Sequence, residues 1–74
     1  MTASSHLPHT ILRRKQVEAR TGLSRSTIYD KLSKKSPRFD PTFPRAIKLG
    51  INAVGWVEAE IDSWLHNRTQ MNRV

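Results

Sequence analysis

Apolar positions along the chain fall into helical and alternating spacings that mark out its elements. Val17 is the clearest inward residue of "RRKQVEAR", which predicts a short helix from about Arg14 to Arg20. Leu23, Ile28 and Leu32 form a stripe on one face of a second helix behind Ser24, whose hydroxyl can accept a hydrogen bond from the free amide of Ser26 or Thr27. Gly22 is placed to end the first helix, because glycine enters the left-handed conformation at no steric cost, and the chain then turns at Thr21 to Leu23. Val57, Ile61, Trp64 and Leu65 recur at i, i+4, i+7 and i+8, one face of a third helix beginning near Val57. Glu58, Glu60 and Asp62 occupy its first turns, where carboxylates favour the exposed amide dipoles, and give it an acidic outer face.

Between the second and third helices, "RAIKL" and "AVGWV" are β-branched and roughly alternating, which predicts a two-stranded hairpin with Gly50 and Asn52 supplying its turn. Pro37, Pro41 and Pro44 forbid helix from Ser36 to Pro44 and predict a rigid, extended connection. Phe39 and Phe43 within it are expected as core lids, and Trp56 and Trp64 as core residues. Residues 1–10 show no periodicity and are expected to form a mobile arm; 11–66 form the folded domain, and 67–74 a frayed tail. The expected class is α+β, mainly α: two helices around a glycine turn, a two-stranded β wing and a C-terminal packing helix, which is a winged helix-turn-helix.

Composition narrows what such a domain can do. At 74 residues and 36% hydrophobic content, one small core is possible. Without cysteine there is neither a disulfide framework nor a thiolate metal site. "MTASSHLPHT" lacks the charged start and apolar run of a signal peptide, and no apolar stretch approaches the ~20 residues of a membrane span. A cytoplasmic, nucleoid-associated protein with no membrane partner is expected. The net charge is +7, and it is uneven: Arg13 to Lys48 holds eleven basic and three acidic residues, whereas Leu49 to Val74 holds two and three. That asymmetry points to a polyanionic partner bound by the first two-thirds of the chain.

Catalytic chemistry is not expected. Glu58, Glu60 and Asp62 diverge or sit adjacent on an exposed helix face, Asp30 and Asp40 stand among cations, and no two acids aim at one point. His6, His9 and His66 do not form a ligand set, and the three glycines mark turns rather than a phosphate loop, so neither metal nor cofactor is expected.

Double-stranded DNA fits the remaining features. Ser24, Arg25, Ser26 and Thr27 place short donors at the start of the second helix, where the chain would approach a groove. Arg25 has the planar fork that pairs with guanine O6 and N7, and a phosphate contact stands as the equal alternative. Tyr29 can donate to a phosphate, while Lys31, Lys34 and Lys35 are expected as backbone clamps. Arg13, Arg14 and Lys15 are placed to grip phosphates across the first helix, and Arg45 and Lys48 the neighbouring strand or minor groove.

"TGLSRSTIYDKL", "FPRAIKLG" and "AVGWVEAEIDSWL", in that order, closely resemble the AlpA family of prophage transcriptional regulators, itself similar to phage excisionases and the MerR-like winged helix-turn-helix. The resemblance covers about Ile11 to Leu65, and its most specific pieces are Ser24 to Tyr29 and the pair Gly55 and Trp56. It implies a second helix in the major groove, a hairpin wing, and a role in prophage excision or in switching on integrase and excisionase genes. Carried over residue by residue, it implies Ser24, Arg25, Ser26, Thr27, Tyr29 and Lys31 as the recognition set, with Lys48 beside the wing. The chain departs at the wing tip, where such families commonly carry a basic residue and "GIN" has Ile51 and Asn52; Asn52 joins the expected DNA contacts and Ile51 is a candidate for touching another copy or a sugar. The connection Ser36 to Pro44 is also long. A single module this small buries only about 600–1,000 Å² on DNA, so cooperative binding with further copies is expected, and an integrase is a further candidate partner. The competing reading is an adaptor that contacts an integrase or RNA polymerase through the acidic third helix.

Overall fold

The computed structural model describes residues 9–73; the expected arm, apart from His9 and Thr10, and Val74 lie outside the described residues. In chain order the elements are β1 (Ile11–Leu12), α1 (Arg14–Thr21), α2 (Arg25–Leu32), β2 (Ile47–Gly50), β3 (Ala53–Val57) and α3 (Glu58–Met71). This is the mainly helical α+β arrangement of a winged helix.

The apolar stripes meet in one core. Leu12, Val17, Ile28, Phe43, Trp56, Ile61 and Trp64 are buried together, and Leu23, Leu32, Ala46 and Leu65 pack against them. Phe43 meets Trp64 edge to face at 4.9 Å between ring centroids, a geometry that favours the two ring quadrupoles. Phe39, the other expected lid, is half-buried.

Local chemistry sets the angle between α1 and α2. Gly22 adopts φ 76°, and its amide donates to the Glu18 carbonyl at 2.8 Å, closing α1. Ser24 caps α2 by accepting from the Thr27 amide at 3.2 Å. Three residues separate the helices, so α2 leaves α1 in one defined direction.

The sheet corrects the expected two-stranded wing. Ile11 and Leu12 form a third strand, pairing antiparallel with Val57 and Trp56, so the strand order is β1-β3-β2. Thr10 extends this pairing by accepting from the Glu58 amide at 2.8 Å. Two residues are too few to show alternation, and their partner lies more than forty positions away. Gly55 admits this close approach: a Cβ there would overlap Ile11 Cγ2 and lie 3.1 Å from the Leu12 carbonyl oxygen.

The hairpin turn also differs from expectation. Neither Gly50 nor Asn52 has a positive φ; among the described residues only Gly22 does. Instead the register slips between Lys48 and Gly50, so that Leu49 and Gly50 oppose the single residue Ala53. This bulge bends β2 and takes up the twist.

The proline-rich connection is not extended. Ser36, Phe39 and Phe43 donate their amides to Ser33, Ser36 and Asp40 in successive turns, and Pro37 and Pro41 occupy the second position of two of them, where their fixed φ is favourable. The Asp40 amide returns to the Lys31 carbonyl at 3.0 Å, tying the connection to the end of α2.

α3 continues through Asn67 to Met71, past the point where fraying was expected. Arg68 supplies the reason. Its guanidinium stacks on Trp64 at 4.9 Å and bonds Asp40 at 2.5 Å, anchoring the added turn to the connection.

Candidate nucleic-acid interface

Charge distribution defines the interface, and internal pairing decides it. Five of the six carboxylates are consumed within the fold: Glu18 by Arg14, Asp30 by Arg38, Asp40 by Arg68 and Lys31, and Glu58 and Asp62 together by Arg20. Among the described residues, Arg13, Lys15, Arg25, Lys34, Lys35, Arg45, Lys48 and Arg73 have no carboxylate partner. All but Arg73 lie between Arg13 and Lys48, the stretch that the sequence marks as basic.

The start of α2 carries the most ordered part of this surface. Ser24 Oγ accepts the Thr27 amide and donates to Thr27 Oγ1 at 2.9 Å, while Ser26 Oγ stands 3.3 Å away. Ser24 is therefore spent on the cap, and Ser26 keeps an exposed hydroxyl. One turn on, the exposed Tyr29 ring lies under Arg25, with Cζ 5.8 Å from the ring centroid. This contact holds an unpaired guanidinium over an aromatic face. The spacing of four made it legible, and the sequence reading missed it because it assigned the two side chains separate tasks.

Arg13 links the helices to the wing. Its amide donates to Gln16 Oε1 at 2.8 Å at the start of α1, and its Nε donates to the Val54 carbonyl at 3.0 Å. Lys48 is the cross-strand partner of Val54, so Arg13 and Lys48 engage the same position of β3 from its two sides. Lys15 is exposed on α1, and Asn52 is exposed at the tip. Lys34 and Lys35 are exposed in the turn after α2.

Two of the expected contacts, Arg14 and Lys31, are engaged within the fold. Arg14 is half-buried and ion-paired with Glu18. Lys31 is only 19% exposed: its Nζ stands 3.8 Å from Asp40 and 5.5 Å from the Trp64 ring centroid, so it braces the core. Arg45 borders the groove between the connection and α3.

Two clusters that sequence reasoning missed hold the platform together. Arg20 bridges α1 to α3 through Glu58 and Asp62, both at 2.8 Å, and the hydrogen bond to Glu58 followed by that to Asp62 raises its pKa. Asp40 accepts the Thr42 amide at 2.9 Å, its hydroxyl at 2.6 Å, and Arg68. Burial pushes the Asp40 pKa up, but these bonds outweigh it and lower the value from 3.8 to about 2. Arg20 with Glu58 and Asp62, and Asp40 with Arg68, join residues distant in sequence, whereas the bonds from Thr42 to Asp40 are local. With Glu58 and Asp62 engaged, the acidic outer face of α3 reduces to Glu60.

Among the described residues no group of three or more His, Asp or Glu side chains could hold a metal ion, and no helix is long and apolar enough to cross a membrane.

A helix-turn-helix with a hairpin wing and a clustered, unpaired cationic surface defines the class. Residues 10–69 match the family of the prophage CP4-57 regulatory protein (AlpA), and the chain belongs to this family. It is 54% identical over 61 residues to the DNA-binding transcriptional activator AlpA of Escherichia coli (strain K12), which covers 82% of this chain and 87% of that protein. No solved structure matches the chain.

Proposed function

We propose that the chain is a sequence-specific, double-stranded DNA-binding regulator of prophage genes, with α2 in the major groove and the wing on the adjacent backbone or minor groove. The observation that carries this is the division of charge: the fold pairs five of its six acids internally and leaves cations unpaired around α2, the start of α1 and the wing. Arg25 and Ser26 read base edges; Arg13, Lys15, Lys34, Lys35, Lys48, Asn52 and the Tyr29 hydroxyl hold phosphates. Copies bind side by side on repeated sites. Transcriptional regulation is supported by the relative's description, and action as an excisionase rests on the similarity of the AlpA family to that group; both use the same surface, and an integrase is then a neighbour on the DNA.

The adaptor reading has less to stand on, because Arg20 occupies two of the three carboxylates it needs. A salt titration of binding to random duplex separates the two. DNA binding predicts affinity that falls linearly on logarithmic axes as salt rises; absence of any complex at low salt refutes it. Footprinting upstream of a neighbouring integrase gene then locates the repeated sites.

A further inference from the structure

Where β1 stops, a side chain continues its ladder. Thr10 accepts from the Glu58 amide at 2.8 Å and Leu12 stands opposite Trp56, so every second residue of β3 turns its backbone groups towards β1. The next residue in that series is Val54. Its backbone partner in this register would be Arg14, but Arg14 already opens α1. Arg13 fills the gap, and its Nε donates to the Val54 carbonyl at 3.0 Å.

The outer hairpin has little else to hold it. Lys48, Leu49, Gly50, Ile51, Asn52 and Val54 are all exposed, whereas the buried residues of β3 are Gly55 and Trp56, nearer its end. Arg13 itself is fixed at the start of α1, where its amide donates to Gln16 at 2.8 Å. Among the described residues, Nε is the one nitrogen of its guanidinium with an acceptor. That acceptor is uncharged, so the cation keeps its charge for another ligand. A planar guanidinium bound through Nε presents its two Nη groups as a second edge, and that edge matches two oxygens of a phosphate.

We propose that Arg13 is the positioning residue of the wing: its Nε holds the Val54 carbonyl while its Nη groups hold a DNA phosphate, so one side chain sets the hairpin against the DNA backbone. This rests on the DNA-binding reading above and adds a second task to a plain phosphate contact. Lys48 and Asn52 reach their own phosphates because Arg13 has fixed the strand that carries them. Lys15, exposed on the same helix, has the phosphate task alone. Lysine cannot replace arginine at position 13, because a single nitrogen has no planar fork with which to keep carbonyl and phosphate in a fixed relation.

The test separates charge from position. The chain has no cysteine, so an iron chelate tethered at Ile51→Cys, on the exposed tip, cuts DNA where the wing lies. Ile51→Cys is combined in turn with Arg13→Lys, Arg13→Ala and Lys15→Ala, and cuts are mapped at saturating protein on a footprinted site, with salt titrations alongside. Arg13→Lys is expected to keep the slope of log affinity against log salt and the footprint of α2, while the tip cuts lose their sharp maximum and spread to neighbouring nucleotides. Arg13→Ala is expected to spread them likewise and to lose about one from the slope. Lys15→Ala is expected to lose about one from the slope and to leave the cuts sharp. Cuts that stay sharp in both Arg13 variants overturn the proposal, as do cuts that spread equally in Lys15→Ala. A full slope in Arg13→Ala overturns it by removing the phosphate. Loss of the α2 footprint together with the tip cuts in the Arg13 variants overturns it in favour of a role in the fold, and absence of tip cuts from Ile51→Cys on an intact footprint overturns it in favour of a wing held off the DNA. A wild type that leaves no footprint at all refutes the proposed function instead.

Discussion

Arg25 lies over the ring of Tyr29, Cζ 5.8 Å from its centroid, on the exposed first turns of α2. The aromatic face limits where the guanidinium points, and a pre-aimed fork loses less freedom when it meets a base. Arg25→Ala is expected to cost about 1–3 kcal/mol of discrimination between cognate and random duplex. Tyr29→Ala is expected to lose part of that discrimination, about 0.5–1 kcal/mol, and Tyr29→Phe to retain it. Competition binding measures all three. Equal loss of affinity on cognate and random DNA would place Arg25 on phosphate.

Lys31 and Lys34 are neighbours in sequence with different surroundings. Lys34 is exposed and unpaired, whereas Lys31 lies between Asp40 and Trp64. Lys34→Ala should reduce the slope of log affinity against log salt by about one, the value for one phosphate. Lys31→Ala should leave that slope unchanged and lower the melting temperature. The opposite assignment in paired salt titrations and thermal melts would show that Lys31 turns outward on DNA.

Gly55 is required by packing rather than by its backbone angles. Gly55→Ala forces β1 away from β3 and is expected to destabilise the domain by about 1–3 kcal/mol. Chemical denaturation reads the change, and an unchanged midpoint would mean that β1 contributes nothing to the fold.

Asp40 couples stability to acid. Its folded pKa of about 2 lies below the ordinary 3.8. The contribution is therefore fully present above the unfolded value and is lost as pH falls through the folded one. Asp40→Asn should be less stable than wild type above pH 3.8, with the gap closing towards about 2. Parallel melting curves across that window would separate Asp40 from the acid response.

Local chemistry was legible in the chain, and long-range pairing was not. Gly22, Ser24 and the stripe of Leu23, Ile28 and Leu32 each act through neighbours within a few residues, and each stands where spacing puts it. Ile11 and Leu12 join a sheet only because Val57 and Trp56 return to them, and Arg20 finds acids 38 and 42 positions away. The same limit affects the candidate site. Charge along the chain located the basic two-thirds, but only tertiary pairing separates the spent cation Lys31 from unpaired Arg25 and Lys34, whereas Arg14 is spent on Glu18 one turn along the same helix. Arg68, read as part of a fraying tail, extends α3 because Asp40 and Trp64 come to meet it.

The placement of α2 on DNA is tested most directly by tethering an iron chelate to single cysteines in this cysteine-free chain and mapping hydroxyl-radical cuts on a footprinted site. Ser26→Cys, at the start of α2, is expected to cut strongly near the centre of each site in a pattern spanning the major groove. Asn67→Cys, in α3 on the groove beside the connection, is expected to cut weakly or not at all. Stronger cleavage from Asn67→Cys than from Ser26→Cys would contradict the account.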